Sequence, residues 1–150
     1  MQRRPLTFLA TATLAVAVGL SGCGSDSGGD VSVTAGPTAD TAPASGTTLD
    51  AAGFAAALKA PQTVILDVRT PAEFAEGHLP GAVNLPVESP DFTAQIAGLD
   101  PSAPYAVYCR SGNRSQVAMD VMMQSGFTDV YHLGGGIGAW QQAGGEVVSG

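Results

Sequence analysis

Hydrophobic and polar positions along residues 47–150 of this chain switch repeatedly between two periods. Four short apolar runs stand out: Val64-Ile65-Leu66 ending at Asp67, Ala82-Val83-Asn84-Leu85, Tyr105-Ala106-Val107-Tyr108 ending at Cys109, and Val130-Tyr131-His132-Leu133. Short apolar runs of this kind predict strands, and those at Val64 and Tyr105 read as buried ones. The stretches between them carry helical spacing. Phe54 and Leu58 share one face of a helix that Asp50 would cap. Thr70-Pro71-Ala72-Glu73 reads as a capping box with proline at the first helical position, and Gly77 ends that helix. Ser89-Pro90 opens a third, with Phe92, Ile96 and Leu99 in register. Val117 and Val121, with Ala118 and Met122 beside them, predict a fourth that stops near Ser125-Gly126, and a last helix runs from about Gly136 through Trp140.

Strands alternating with helices over short connections predict an α/β fold. Its expected form is a mostly parallel open sheet of about four to five strands with helices on both faces. In such sheets ligands bind beyond the carboxyl ends of the strands. Asp67 and Cys109 both occupy such ends.

The first 46 residues follow other rules. Arg3 and Arg4 precede an apolar run from Leu6 to Leu20, 15 residues long. A spanning helix needs about 20, so the run suits a secretory signal better than a permanent anchor. It ends in Leu20-Ser21-Gly22-Cys23, which resembles a bacterial lipobox. The resemblance implies a lipoprotein signal peptide over residues 1–22, lipidation of Cys23, and a protein held outside the cytoplasm on the bacterial cell membrane without spanning it. Residues 24–46 are nearly all Gly, Ser, Thr, Ala, Pro and Asp, a composition expected to form a flexible tether reaching roughly 25 Å. The remaining domain is expected over residues 47–150.

Charge and cysteine content narrow the chemistry. The net charge is −7, and loss of Arg3 and Arg4 would make the remainder more acidic still. That excludes nucleic acid as an expected partner, and electrostatic attraction to anionic lipid. Of the two cysteines, lipidation of Cys23 would leave Cys109 as the only free thiol, so dithiol redox chemistry within one chain is excluded. The two histidines, His78 and His132, belong to no grouping with metal-ligand spacing; no metal and no cofactor is expected. Gly134-Gly135-Gly136-Ile137-Gly138 does not match the dinucleotide fingerprint and reads as a close-packing turn.

What stands out is Cys109-Arg110-Ser111-Gly112-Asn113-Arg114-Ser115, placed between a buried strand and a helix. Loop amides and a helix N-terminus favour negative charge, which lowers a thiol's pKa and attracts an anion. Gly112 permits a positive φ that turns successive amides toward one point. Arg110 and Arg114 add positive charge. The product is a nucleophile at the floor of an anion-shaped cup, suited to a sulfur donor bearing a sulfonate or to a phosphate ester.

This loop resembles the active loop of single-domain rhodaneses, a family of sulfurtransferases. Leu66-Asp67-Val68-Arg69, Pro71, Glu73, Phe74 and Gly77-His78-Leu79-Pro80-Gly81-Ala82 resemble that family's first signature, and Gly134-Gly135 with Ala139-Trp140 its last. The resemblance implies that Cys109 takes sulfane sulfur from a small anionic donor such as thiosulfate. It would carry that sulfur as a persulfide to a thiol, cyanide or protein acceptor. Arg110, Ser111, Gly112, Asn113, Arg114 and Ser115 would bind substrate, with Arg114 on the donor's anionic group. Asp67 and Arg69 would support the site, as neighbours of the substrate or as a pair bracing the loop. Glu73 is assigned only its capping role, and His78 a role in its turn.

Two rival readings remain open on the residues alone. A cysteine phosphatase or arsenate reductase uses a related cradle, but those families usually space Cys and Arg by five residues where Cys109 and Arg114 enclose four, and Tyr108 stands where the phosphatases usually have a histidine. A persulfide carrier or interaction module without turnover would retain the same loop.

Overall fold

The computed structural model describes residues 42–150. The expected signal peptide, Cys23 and most of the tether lie outside the described residues. The elements are β1 (Thr48–Leu49), α1 (Ala51–Ala57), β2 (Val64–Asp67), α2 (Pro71–Glu76), β3 (Val83–Asn84), α3 (Phe92–Ile96), β4 (Tyr105–Tyr108), α4 (Asn113–Gln124), β5 (Val130–Leu133) and α5 (Gly136–Gln142).

The five strands form one sheet in the order β1-β5-β4-β2-β3, and every pairing is parallel. Strand β4 is fully buried and sits at the centre. Its side chains alternate between two cores, as a period of two requires. Tyr105, Val107 and Cys109 pack with Phe92 and Ile96 of α3 and with Ala118, Met119 and Met122 of α4. Ala106 and Tyr108 face the other way, onto Phe54 and Ala57 of α1 and Ile137 of α5. Helices therefore cover both faces. Phe54 is fully buried and meets the Tyr131 and Trp140 rings edge-on, each at 6.2 Å, which holds α1 onto the sheet.

This topology locates a ligand site by itself. The chain leaves β2 outward to β3, then crosses back to β4 and continues in the opposite direction to β5. The switch point lies between β2 and β4, and open parallel sheets bind ligands just beyond such a point. Asp67 ends β2 there, and Cys109 follows β4. The backbone stays stitched past the ladder, with Val68 N donating to the Tyr108 carbonyl at 3.0 Å.

The helix signals act as read. Asp50 accepts from Gly53 N at 2.7 Å, and the Thr70–Glu73 capping box closes in both directions. Three details differ from the expectations. Strand β1 carries no apolar run; it forms because β5 offers an open edge, where Thr48 pairs with His132 and Leu49 with Leu133. The end of the expected tether packs onto the domain: Gly46 N donates to the Val130 carbonyl at 2.7 Å, and the Ser45 hydroxyl accepts from Val130 N at 3.1 Å. Helix α3 ends at Ile96 rather than reaching Leu99, and its N-cap is Asp91, whose amide donates to the Ser89 hydroxyl.

Candidate active site

Strand β4 delivers Cys109 to the floor of a cup, and α4 begins four residues later. Gly112 is the N-cap of α4, with φ of +102°. A glycine there has two consequences. It turns the loop back on itself, and it supplies no side chain to cap the helix. A Cβ at this position would lie 2.0 Å from the Gly134 carbonyl oxygen, so no larger residue fits without rearrangement. The first amides of a helix lack intrahelical partners. An N-cap side chain usually takes the third. Here no such side chain exists, and the Ser115 amide is among the groups that lower the Cys109 thiol.

Gly112 N donates to Cys109 Sγ at 3.1 Å. Burial pushes the Cys109 thiol up, since it is 1 % exposed. Hydrogen bonds from the Ser115 hydroxyl and from the amides of Ser115, Ser111 and Gly112 outweigh that effect and leave it below the ordinary thiol range. Backbone and serine donors thus do what the sequence reading assigned partly to arginines.

The cup is closed from the far side by α5. Ile137 N donates to the Cys109 carbonyl at 2.8 Å. A Cβ on Gly136, at φ +60°, would fall 2.4–2.5 Å from the backbone of Arg110 and Cys109. The glycine-rich turn therefore has a definite job: it lets the start of α5 press on the active loop.

Ser111, Asn113 and Arg110 are exposed at the mouth, and Ser115 is wholly buried beneath it. Arg110 forms no salt bridge among the described residues. Arg114 is placed otherwise than expected. Its Nη1 and Nη2 donate to the two carboxylate oxygens of Glu73 at 2.8 and 2.7 Å, and Nη1 also reaches Glu88 at 3.2 Å. Its charge is engaged by two carboxylates. The bidentate Arg114 pair holds the Glu73 carboxyl near 2, against the smaller opposing effect of burial and with help from Thr70. Glu73 is thus more than a cap; it ties α2 to the first turn of α4.

Asp67 and Arg69 form a buried pair. Arg69 Nη2 lies 2.5 Å from Asp67 Oδ2, and Nε sits between the two carboxylate oxygens at 2.9 and 3.0 Å. The same guanidinium donates to the Gly77 carbonyl at 2.6 Å and lies over the Tyr108 ring at 5.6 Å. Tyr108 in turn accepts from Leu79 N at 3.1 Å. Of the two roles left open for this pair, the geometry matches bracing: it links the end of β2 to the residues after α2 and to the strand that carries Cys109.

One residue escaped the sequence reading. His132, 3 % exposed, sits on β5 with Nδ1 at 3.0 Å from the Ser115 hydroxyl and Nε2 at 2.9 Å from the Thr48 hydroxyl. Its signal was a lone polar residue inside an otherwise apolar strand.

Comparison with known proteins agrees with this geometry. The family model described as rhodanese-like domain matches residues 50–143. A protein named thiosulfate sulfurtransferase GlpE from Pseudomonas fluorescens is 40 % identical over 87 residues, covering 58 % of this chain and 78 % of that protein. A sulfurtransferase from Allochromatium vinosum is 37 % identical over 86 residues, covering 57 % and 78 %. Among solved structures, the rhodanese-like domain of an Anabaena protein superposes with a TM-score of 0.62 at 30 % identity, covering 68 % of this chain and 78 % of that one. A protein of unknown function from Rhodopseudomonas palustris, described as a possible tyrosine phosphatase, gives 0.57 at 32 % identity, covering 68 % and 84 %. With most of its length matched by one family model and its cysteine loop at the switch point of the sheet, this chain belongs to the rhodanese-like domain family.

Proposed function

We propose that the domain is a sulfurtransferase that passes sulfane sulfur from a small anionic donor such as thiosulfate to a nucleophilic acceptor through Cys109. The observation that carries this reading is the buried sulfur held among inward-facing amides and the Ser115 hydroxyl at an uncapped helix N-terminus. The Cys109 thiolate attacks the outer sulfur of thiosulfate; the bond to the sulfonate breaks, and sulfite leaves with the electron pair. The persulfide anion that remains sits where the thiolate was, and the same donors stabilise its charge. A thiol, cyanide or protein nucleophile then takes the terminal sulfur and restores the thiolate. The relatives named thiosulfate sulfurtransferase support the choice of donor.

The phosphatase reading is disfavoured by the length of the loop, since Cys109 and Arg114 enclose four residues where the phosphatases usually have five. Thiosulfate–cyanide turnover by the domain, with Cys109→Ser alongside, is the direct test. Turnover and one added sulfur by intact mass in the parent, with neither in C109S, are expected. Equal activity in both proteins would refute the proposal. Sulfur uptake without turnover would favour the carrier reading, and phosphate-ester hydrolysis without sulfur uptake would favour the phosphatase.

The lipobox-like Leu20-Ser21-Gly22-Cys23 supports placing this chemistry on the outer face of a bacterial cell membrane, with Cys23 lipidated and the following residues as a tether. Cys23→Ala is expected to release the protein from membranes or to block its processing. Unchanged membrane retention of that variant would contradict the assignment.

A further inference from the structure

Ser115 carries one proton and has three neighbours competing for its hydroxyl. It donates to the Gly112 carbonyl at 2.9 Å, it is the leading influence that lowers the Cys109 thiol, and it lies 3.0 Å from His132 Nδ1. The Gly112 carbonyl is already satisfied, since Gln116 N donates to it at 2.9 Å. The Ser115 proton is therefore not needed there and is available to an anion on sulfur. Whether it stays available depends on His132. An imidazole with a bare Nδ1 would draw the serine proton away from the loop; one with Nδ1–H would donate to the serine oxygen and leave the proton pointing at the cup.

Resting on the sulfurtransferase reading of Cys109, we infer that His132 is a positioning residue for it: its Nδ1–H holds the Ser115 oxygen and aims the serine's only proton into the active loop. The hydrogen-bond chain runs one way. Nδ1–H donates to Ser115; Ser115 donates to the sulfur anion or, at rest, to the Gly112 carbonyl; and the bare Nε2, 2.9 Å from the Thr48 hydroxyl, accepts its proton. Burial favours the neutral ring, with Asp120 of α4 the charged group that opposes it. Both ring nitrogens have a hydroxyl partner, and no buried side-chain polar atom among the described residues is left unpartnered. Strand β1 thereby acquires a purpose beyond edge pairing: its two residues bring Thr48 opposite His132 in register.

The test replaces each ring nitrogen separately. His132→Asn keeps a donor near the Nδ1 position and lacks one at Nε2, whereas His132→Gln reaches toward Nε2 and vacates Nδ1. The pH dependence of iodoacetamide alkylation of Cys109 reads the thiolate in each folded variant, and circular dichroism verifies the fold. H132N is expected to keep the parent profile. H132Q is expected to move it to higher pH, with alkylation at neutral pH slowed about tenfold, the size of one lost hydrogen bond to an anion. Thr48→Val, which keeps the shape of an exposed side chain and removes its proton, is expected to shift the profile in the same direction by less, and serves if the His132 variants do not fold. Nitrogen-15 NMR of the parent is expected to show the neutral Nδ1–H tautomer. An Nε2–H tautomer, or unchanged profiles in H132Q and T48V, would overturn the assignment, and so would an H132N profile displaced as far as that of H132Q. Thiol titration requires no sulfur donor, so a parent that takes up no sulfur would refute the sulfurtransferase reading while these readouts still report on His132.

Discussion

The Asp67–Arg69 pair offers the sharpest test of which buried charges brace the site and which take part in chemistry. Asp67→Asn preserves shape and one acceptor oxygen but removes the negative charge. Asp67 is fully buried and the Arg69 side chain is 7 % exposed, so water cannot replace the lost partner. Arg69 would retain the Gly77 carbonyl and the Tyr108 ring. Removing one member of a buried ion pair costs about 3–5 kcal/mol. The retained Asn hydrogen bond and ring contact place D67N near the lower end, at about 3 kcal/mol. For a domain of roughly 100 residues that lowers Tm by roughly 12–24 °C. The double variant D67N/R69M removes the stranded cation and is expected to recover to within about 1 kcal/mol of the parent. Urea melts followed by circular dichroism give the stabilities, and intact mass after thiosulfate treatment gives sulfur uptake. Uptake by the folded fraction of D67N is expected to fall less than about tenfold, because neither side chain hydrogen-bonds to Cys109. A D67N as stable as the parent would refute the energetic reasoning. A stable D67N that takes up no sulfur would refute the bracing role.

Other consequences follow from the same contacts. The Glu73 carboxyl, held near 2 against an ordinary value of 4.5, contributes stability that is fully present above the unfolded value and lost as pH falls through about 2. Its partial exposure reduces that contribution to about 1 kcal/mol, and acid titration of thermal stability should show the corresponding loss diminished in Glu73→Gln. Gly136→Ala would drive a methyl into the Arg110 and Cys109 backbone at a positive φ, and is expected to lose about 3 kcal/mol or more together with sulfur uptake. A G136A protein with parental melting would contradict the close approach. Since the amides and Ser115 hold the Cys109 thiol below its ordinary range, Ser115→Ala should move the alkylation profile to higher pH, whereas Arg114→Met should leave it nearly in place.

How much of this was legible beforehand depended on whether a signal was local. The capping box at Thr70–Glu73, the Asp50 cap and the apolar runs at Val64, Tyr105 and Val130 are written in consecutive residues, and each gives the cap or strand expected of it. Even the active loop is local, because strand, glycine turn and helix start follow one another within eight residues. What escaped depended on partners far apart in the chain. Arg114 reads as a free cation until α2 brings Glu73, 41 positions earlier, within 2.7 Å. Strand β1 exists only because β5 lies beside it. His132 is the most instructive case. All four residues of β5 are buried, so no polar–apolar alternation shows which face each one serves. Once β4 sets the alternation, Val130 joins the α4 side and Tyr131 and Leu133 the opposite one. His132 must then point at α4, where Ser115 is the buried hydroxyl in reach. A buried histidine in a uniformly apolar strand requires partners for both nitrogens. The N-cap glycine of α4 requires something to occupy its vacant amides. The Cys109 sulfur and the Ser115–His132 chain answer both requirements at once, which is why stability and reactivity meet at this one turn of helix.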